Sequence, residues 1–249
     1  MEEEKMRRAL FFVWVAVSLA FGTLTLDAES RDVDLKAADG TMLKATYMSP
    51  GQPGPAMLLV HQCNMDRTSW NGIATQLVDS GVHVLTLDLR GFGDSGGEGL
   101  RGSGGFPAFL EKSTADVDMA YEYLVSQDGV DGSRVAAGGA SCGAMLTADL
   151  AARQPGLKAL MLLSGPPSEN AVAHMAATSS LAVFAAAATG DTITPGVADA
   201  LKGAAMGSTH AHSTAKIYDG TEHGLPMFDK NADLEPALVT WLKNELISN

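Results

Sequence analysis

Short apolar runs alternate with longer amphipathic segments along most of this chain. The apolar runs that polar residues hardly interrupt lie at Pro55–His61, His83–Asp88, Arg134–Ala140, Leu157–Leu163, Leu181–Ala188 and Ala215–Tyr218. The segments with a helical pattern lie at Ser69–Ser80, from about Pro107 to Ser126, and at Ala144–Arg153, Val197–Ala205 and Leu234–Ile247. Strands that are apolar throughout and alternate with helices are typical of a parallel sheet buried on both faces. The pattern therefore predicts an α/β fold with a mostly parallel central sheet and helices on both of its faces.

Two extended segments near the start differ from the later strands. Arg31–Ala37 and Thr41–Met48 are joined by Asp39-Gly40, a typical hairpin turn. They predict an antiparallel pair at the edge of the sheet. The length of 249 residues fits one such domain, residues 29–249, preceded by a short N-terminal extra.

Residues 1–28 have the pattern of a secretory signal. The basic Met6-Arg7-Arg8 precedes the apolar run Ala9–Phe21, and small residues follow it. Cleavage is expected after Gly22 or Ala28. Because the apolar run is shorter than the ~20 residues of a spanning helix, we expect an exported protein, periplasmic or secreted, without stable membrane association after cleavage. Retention of the segment as an N-terminal membrane anchor is the alternative.

Composition and charge restrict the possible ligands. The formal net charge of −12 argues against nucleic acid, which usually requires a basic patch. Gly91–Gly96 fits G-x-G-x-x-G, but it comes after a later strand of the sheet and no long helix follows it directly. We therefore interpret it as a loop rather than a dinucleotide site. His210 and His212 have no evident third ligand nearby in the sequence. We therefore expect neither a metal nor another cofactor.

One five-residue motif, Gly139-Ala140-Ser141-Cys142-Gly143, indicates chemistry. It lies between an apolar run and a helix-like segment, which is the setting of a nucleophile on a sharp strand-to-helix turn. Residues two before and two after such a nucleophile must be small, and here both are glycine. A glycine-rich turn around a buried serine is the alternative interpretation of these five residues alone.

Polar residues also follow several predicted strands, at the edge where α/β sheets bind ligands. These are His61-Gln62-Cys63-Asn64, Ser141, Gly190-Asp191 and Thr221-Glu222-His223-Gly224. Serine, aspartate and histidine occur in the chain order of α/β-hydrolases. With the loop Asp88-Leu89-Arg90-Gly91-Phe92-Gly93-Asp94-Ser95, and with Pro155 after the helix that follows Ser141, the chain resembles an uncapped α/β-hydrolase of the dienelactone-hydrolase-like kind.

The resemblance implies a catalytic triad. Ser141 takes the nucleophile position, His223 the base and Asp191 the acid, with Glu222 as a weaker rival to Asp191. Cys142 is an alternative nucleophile, because some relatives use cysteine there. In that register the flanking residues would be Ala140 and Ala144, which are also small, but glycines on both sides favour Ser141.

The resemblance also implies an oxyanion hole made by the backbone N–H groups of Cys63 and Cys142. Where relatives have His-Gly, this chain has His61-Gln62, so the loop before Cys63 departs from the family pattern. Cys63 and Cys142 are the only two cysteines. Two N–H groups that share one oxygen lie close together. The two cysteine side chains are therefore either close enough to form a disulfide, or they are small residues whose side chains point away from each other.

These observations predict a hydrolase that cleaves a small-molecule carboxylic ester through a serine acyl-enzyme. Only Pro167–Ser180 separates two strands where many relatives insert a lid, so an open pocket with little or no lid is expected. A small peptidase or amidase on the same fold is one alternative. A catalytically weak binding protein that retains the scaffold is another, and the filled triad positions argue against it.

Overall fold

A computed structural model describes residues 28–248. The predicted signal or anchor segment, apart from Ala28, lies outside the described residues. Across residues 28–248, no helix combines the length and apolar character needed to cross a membrane.

Eight strands form one sheet at the centre of the domain. They are β1 (Ala28–Lys36), β2 (Met42–Pro50), β3 (Gly54–Val60), β4 (His83–Leu87), β5 (Val130–Ala140), β6 (Ala159–Leu163), β7 (Ala182–Ala188) and β8 (Thr214–Tyr218). Their spatial order is β1-β2-β4-β3-β5-β6-β7-β8. β2 is antiparallel to both β1 and β4, and all other neighbours are parallel. The predicted mostly parallel sheet with an antiparallel N-terminal pair is confirmed.

Helices cover both faces of the sheet, as predicted. They are α1 (Asn71–Val78), α2 (Phe106–Val125), α3 (Cys142–Arg153), α4 (Glu169–Ala177), α5 (Val197–Gly207), α6 (Met227–Lys230) and α7 (Leu234–Ile247). Alternate residues of each strand face opposite layers. In β3, Leu58 and Val60 belong to the core layer that also holds α2, α3, α4 and α5, whereas Met57 and Leu59 belong to the layer that holds α1 and α7. This double burial explains why the central strands are apolar throughout.

Several local predictions need correction. The helix predicted at Ser69–Ser80 is a 3-10 turn, Arg67–Trp70, followed by α1, because Asp66 accepts from the N–H of Thr68 and begins the turn earlier. α6 was not predicted, because four residues are too few to show a helical period. The segment expected to be a minimal lid holds α4, which packs against α3 and α5.

Candidate active site

Ser141 occupies a sharp turn between β5 and α3. Its φ of 53° and ψ of −121° lie in a region that residues other than glycine rarely adopt. Its N–H donates to the carbonyl of Leu163 at 2.7 Å, so the neighbouring strand β6 holds the turn. Such a turn leaves the hydroxyl exposed beyond the end of the sheet.

The glycines on either side of Ser141 are required by close backbone approach. A Cβ atom at Gly143 would lie 2.3 Å from the carbonyl oxygen of Val60, and one at Gly139 would lie 2.4 Å from the carbonyl carbon of Gly143. Since no side chain fits at such distances, the glycine spacing follows from the contact of α3 with β3 and β5. The turn is centred on Ser141 and not on Cys142.

The structure brings Ser141, His223 and Asp191 together. Asp191 follows β7, and His223 lies in the loop after β8. The Oδ2 atom of Asp191 is 2.6 Å from Nδ1 of His223, and Nε2 of His223 is 2.7 Å from Oγ of Ser141. Because a carboxylate only accepts, Nδ1 carries the proton and Nε2 is free to accept the proton of the Ser141 hydroxyl.

Backbone contacts hold the carboxylate of Asp191 in place. Its Oδ1 atom accepts the N–H groups of Ile193 at 2.9 Å and Thr194 at 3.0 Å, which leaves Oδ2 for His223. The side chain of Asp191 is 1% exposed and that of His223 is 10% exposed. Glu222, the weaker rival for the acid, instead accepts from the N–H of Thr221, so the interpretation of Glu222 as the histidine's partner is wrong.

Cys63 and Cys142 form a disulfide, with their Cα atoms 5.9 Å apart. The alternative that the two side chains point away from each other is therefore wrong. The interpretation of Cys142 as an alternative nucleophile is wrong for this structure as well. A thiolate is needed for attack, whereas the Cys142 sulfur is bonded and the residue is fully buried.

The two predicted oxyanion donors are the backbone N–H groups of the two cysteines that this disulfide joins. Cys142 is the first residue of α3, where helix N–H groups have no intrahelical acceptor. Cys63 lies in the loop after β3, and its N–H meets no acceptor among residues 28–248, whereas the N–H groups of Asn64 and Met65 both donate to the carbonyl of Gln62. Both groups are therefore available to a ligand near Ser141.

Gln62, the departure from the family pattern, joins the loop after β3 to the loop of His223. Its buried side chain accepts the N–H of Leu225 through Oε1 at 2.9 Å and donates to Oδ1 of Asn64 through Nε2 at 2.7 Å. A Cβ atom at Gly224 would lie 2.2 Å from this Oε1. From the sequence, only the departure of Gln62 from the family pattern could be seen, because its partner Leu225 lies 163 positions away.

His61 has a structural role next to the site. Its Nδ1 donates to the carbonyl of Gln62 at 2.7 Å, and its Nε2 accepts the N–H of Leu89 at 3.0 Å. Because Nε2 accepts this bond, the ring is neutral. Burial lowers the pKa of His61 below its ordinary value.

A cleft of about 860 Å³ opens over Ser141 and His223. Apart from the site residues its wall is mostly apolar, with Leu100, Phe106, Met145, Pro166, Ile193 and Pro226 among its members. No residue of α4 lines it. Leu100 and Phe106 were not predicted, because Leu100 lies in a loop without a periodic pattern and Phe106 is the first residue of α2 after that loop. The sequence did hold a signal for Ile193, an apolar residue two positions after the predicted site residue Asp191.

The glycine-rich segment Gly91–Gly96 forms a loop around an internal carboxylate. Asp88 is fully buried, and it accepts the N–H of Asp94 and the guanidinium of Arg67. The hydroxyl of Ser95 donates to the carbonyl of Asp88 at 2.7 Å. The glycines of this loop therefore let its backbone pack closely around Asp88, and not against a dinucleotide.

His210 and His212 lie before β8, at the opposite end of the sheet from Ser141. Here the sequence interpretation needs correction, because a third group is present. Glu245 of α7 approaches Nδ1 of His212 at 2.8 Å and Nε2 of His210 at 4.0 Å. However, Nδ1 of His210 accepts the N–H of His212 at 3.2 Å, whereas a metal-bound histidine normally donates through its second nitrogen.

Comparison with known proteins places the chain among α/β-hydrolases. A family model described as "Serine aminopeptidase, S33" matches residues 51–195, more than half of the chain. The match includes Ser141 and Asp191 and ends before His223. An uncharacterized protein of Mycobacterium tuberculosis, found in strains CDC 1551 and H37Rv, is 33% identical over 138 residues, which are 55% of this chain and 45% of that protein. The chain therefore spans about half the length of the curated relatives it matches.

Solved structures share the fold at low sequence identity. The Pyrococcus furiosus esterase Pf2001 has a TM-score of 0.67 and 15% identity, over 89% of this chain and 92% of that one. A thermophilic esterase from Thermogutta terrifontis has a TM-score of 0.63 and 17% identity, over 86% and 98%. Acetyl xylan esterase 1 from Thermoanaerobacterium has a TM-score of 0.65 and 17% identity, over 90% and 85%.

Proposed function

Because the chain belongs to the α/β-hydrolase family described as serine aminopeptidase S33, we propose that it hydrolyses a small-molecule carboxylic ester through a Ser141 acyl-enzyme. The observation that carries the proposal is the continuous hydrogen-bonded series from Asp191 through His223 to Ser141, at 2.6 and 2.7 Å. This is the arrangement by which a serine hydroxyl, a poor nucleophile by itself, is activated.

The reaction has two steps. Nε2 of His223 takes the proton as Oγ of Ser141 attacks the carbonyl carbon, and the N–H groups of Cys63 and Cys142 donate to the oxygen that becomes negative. His223 then gives the proton to the departing alcohol. In the second step a water molecule gives a proton to His223 as it attacks the acyl-enzyme, and His223 returns that proton to Oγ of Ser141 as the acid is released. Asp191 fixes the tautomer and stabilises the imidazolium that forms in each step.

The cleft favours an ester over the peptide substrate of an aminopeptidase. An aminopeptidase has to bind a positively charged amino terminus, for which a carboxylate is the natural partner. Among residues 28–248, no aspartate or glutamate belongs to the wall of the cleft. Beside it, Asp191 is engaged with His223, and Glu222 accepts the N–H of Thr221. A neutral substrate with an apolar acyl group fits this wall better. A binding protein is disfavoured, because the complete series of three side chains serves no purpose in binding alone.

We propose further that the protein is exported and that the segment before β1 is removed. The disulfide supports this location, because such bonds persist in oxidising compartments. The mature N-terminus is expected between Thr23 and Arg31, as intact-mass measurement of the native protein will show. A full-length protein in the cytosol would contradict export, and a full-length protein in the membrane fraction would indicate an anchor.

The function is tested with p-nitrophenyl acetate and butyrate on the purified protein. Ser141→Ala should reduce turnover to the spontaneous rate and abolish labelling by a fluorophosphonate probe. Ser133→Ala, an exposed serine bonded only to Asp131, should match the wild type. Alanine p-nitroanilide should be cleaved at least about 10²-fold more slowly than the esters. If Ser141→Ala retains turnover, the nucleophile is wrong, and if the anilide is the better substrate, the aminopeptidase is correct.

A further inference from the structure

We propose that the Cys63–Cys142 disulfide is a positioning element that sets the spacing of the two oxyanion donors, so that its reduction lowers kcat while the fold is retained. This inference rests on the proposed function, because the donors matter only if Ser141 attacks a carbonyl. The disulfide joins the same two residues whose N–H groups would share one oxygen, although they are 79 positions apart in the chain. One covalent bond thus fixes the donors relative to each other.

The two donors are held very differently by the rest of the fold. Cys142 begins α3 and is fully buried, and Gly143 next to it lies against the backbone of β3. Cys63 is only partly buried and lies in a loop, and its own N–H meets no acceptor among residues 28–248. The loop is fixed at Gln62, whose side chain reaches Leu225. The disulfide is therefore the contact that ties Cys63 itself to the helix.

The position of the bond makes it accessible from one side. Cys63 lines both the cleft over Ser141 and a second cleft of about 390 Å³ beside Leu100 and Arg101, whereas Cys142 belongs to neither. A thiolate of a dithiol reductant can therefore attack Sγ of Cys63. The Sγ–Sγ bond breaks, and its electron pair leaves with the Cys142 sulfur, at a helix N-terminus that stabilises negative charge.

The second thiol of the reductant completes the exchange. It attacks the mixed disulfide, releases Sγ of Cys63 and closes the oxidised dithiol ring. The protein gains two electrons and two protons, and the reductant loses them. Cys63 is then free to move away from α3 within its loop. A donor that is displaced no longer meets the oxyanion, although Ser141, His223 and Asp191 keep their contacts, none of which involves a cysteine.

The test compares oxidised and dithiothreitol-reduced wild-type protein with p-nitrophenyl butyrate. Reduction, followed by alkylation and mass measurement, should expose two thiols. The kcat should fall by about 10²-fold, the size expected for one lost oxyanion donor, while KM changes by less than about threefold. Inhibition by butylboronic acid, which forms a tetrahedral adduct with a serine, should weaken in parallel with kcat. Circular dichroism should remain unchanged, and reoxidation should restore the rate.

Two variants keep the test decisive. Cys63→Ala leaves the buried Cys142 in place, and it should have the low kcat of the reduced protein and no response to dithiothreitol. The double variant Cys63→Ala/Cys142→Ala should behave in the same way if it folds. A reduced protein that keeps its full kcat overturns the inference while the proposed function stands, as does a loss of activity that follows unfolding. If the oxidised protein itself neither turns over ester nor accepts a fluorophosphonate, the proposed function has failed instead.

Discussion

Replacing Gln62 by alanine tests how the loops on either side of the site are held together. The variant removes a buried acceptor for the N–H of Leu225 and a donor to Asn64. A buried group left without its partner costs about 1–3 kcal/mol. The N–H of Leu225 is buried, whereas Asn64 is exposed, so most of the loss comes from the first bond. With the cavity left by the side chain, we expect a total loss of about 2–4 kcal/mol in the free energy of unfolding.

The same variant is expected to affect activity, because Leu225 lies two residues after His223. When its N–H is released, the loop no longer holds the imidazole against Ser141, and a small misplacement of such a group lowers the rate substantially. We expect kcat to fall at least about tenfold. Gln62→Glu keeps an oxygen for Leu225 but loses the donor to Asn64 and buries a charge, so it should recover less than half of the lost stability.

Gln76 offers a matched control on the surface. Its exposed side chain donates to the carbonyl of Gly72 and to Glu235, and Gln76→Ala should change stability by about 0.5 kcal/mol or less. Urea unfolding and p-nitrophenyl butyrate kinetics on the three variants provide the measurements. If Gln62→Ala and Gln76→Ala have the same stability and the same kcat, the side chain of Gln62 does not hold the histidine loop.

Three further predictions concern the acid, pH and backbone packing. Asp191→Asn keeps an oxygen for the backbone N–H groups but cannot fix the histidine tautomer, so kcat should fall by about 10⁴-fold, and a steady-state loss under tenfold would contradict this role. Burial lowers the pKa of His61 and His83; below about pH 6.5 the unfolded chain therefore binds more protons than the folded one, and stability is lost as the pH falls. Tm should accordingly decrease from about pH 7.5 to 5, less so in His83→Gln, and equal slopes would refute the assignment. Gly143→Ala should cost about 3 kcal/mol in urea unfolding, whereas Gly203→Ala, in α5 with open space around it, should gain about 0.5–1 kcal/mol; similar effects of the two changes would argue against the close approach at Gly143.

The sequence was sufficient for the sheet and for the candidate triad, for a physical reason. The central strands are buried on both faces, so their apolar runs are continuous, and parallel strands place their carboxyl ends at one edge. Residues that follow such strands, as Ser141, Asp191 and His223 do, lie at this edge, and the resemblance to α/β-hydrolases selected these three as the triad. The glycines around Ser141 report a backbone contact that no larger residue allows.

Long-range side-chain contacts could not be predicted from the sequence. The disulfide was left open because chain spacing does not determine side-chain direction, although both cysteines were assigned to adjacent segments. Gln62 was noted only as a departure, since its partner Leu225 lies in a loop without a pattern. Glu245 was missed as the neighbour of His212, because a glutamate on an amphipathic helix is usually exposed, and here it is buried against two histidines.

The absence of α4 from the wall of the cleft has a kinetic consequence. An enzyme whose site is covered by an apolar lid is switched on when aggregated substrate draws the lid away, so its rate jumps where the substrate begins to form micelles. Here α4 packs against α3 and α5 instead, and none of its residues lines the cleft over Ser141. The rate should therefore follow a simple saturation curve with dissolved substrate, and an oil–water interface should give no further acceleration.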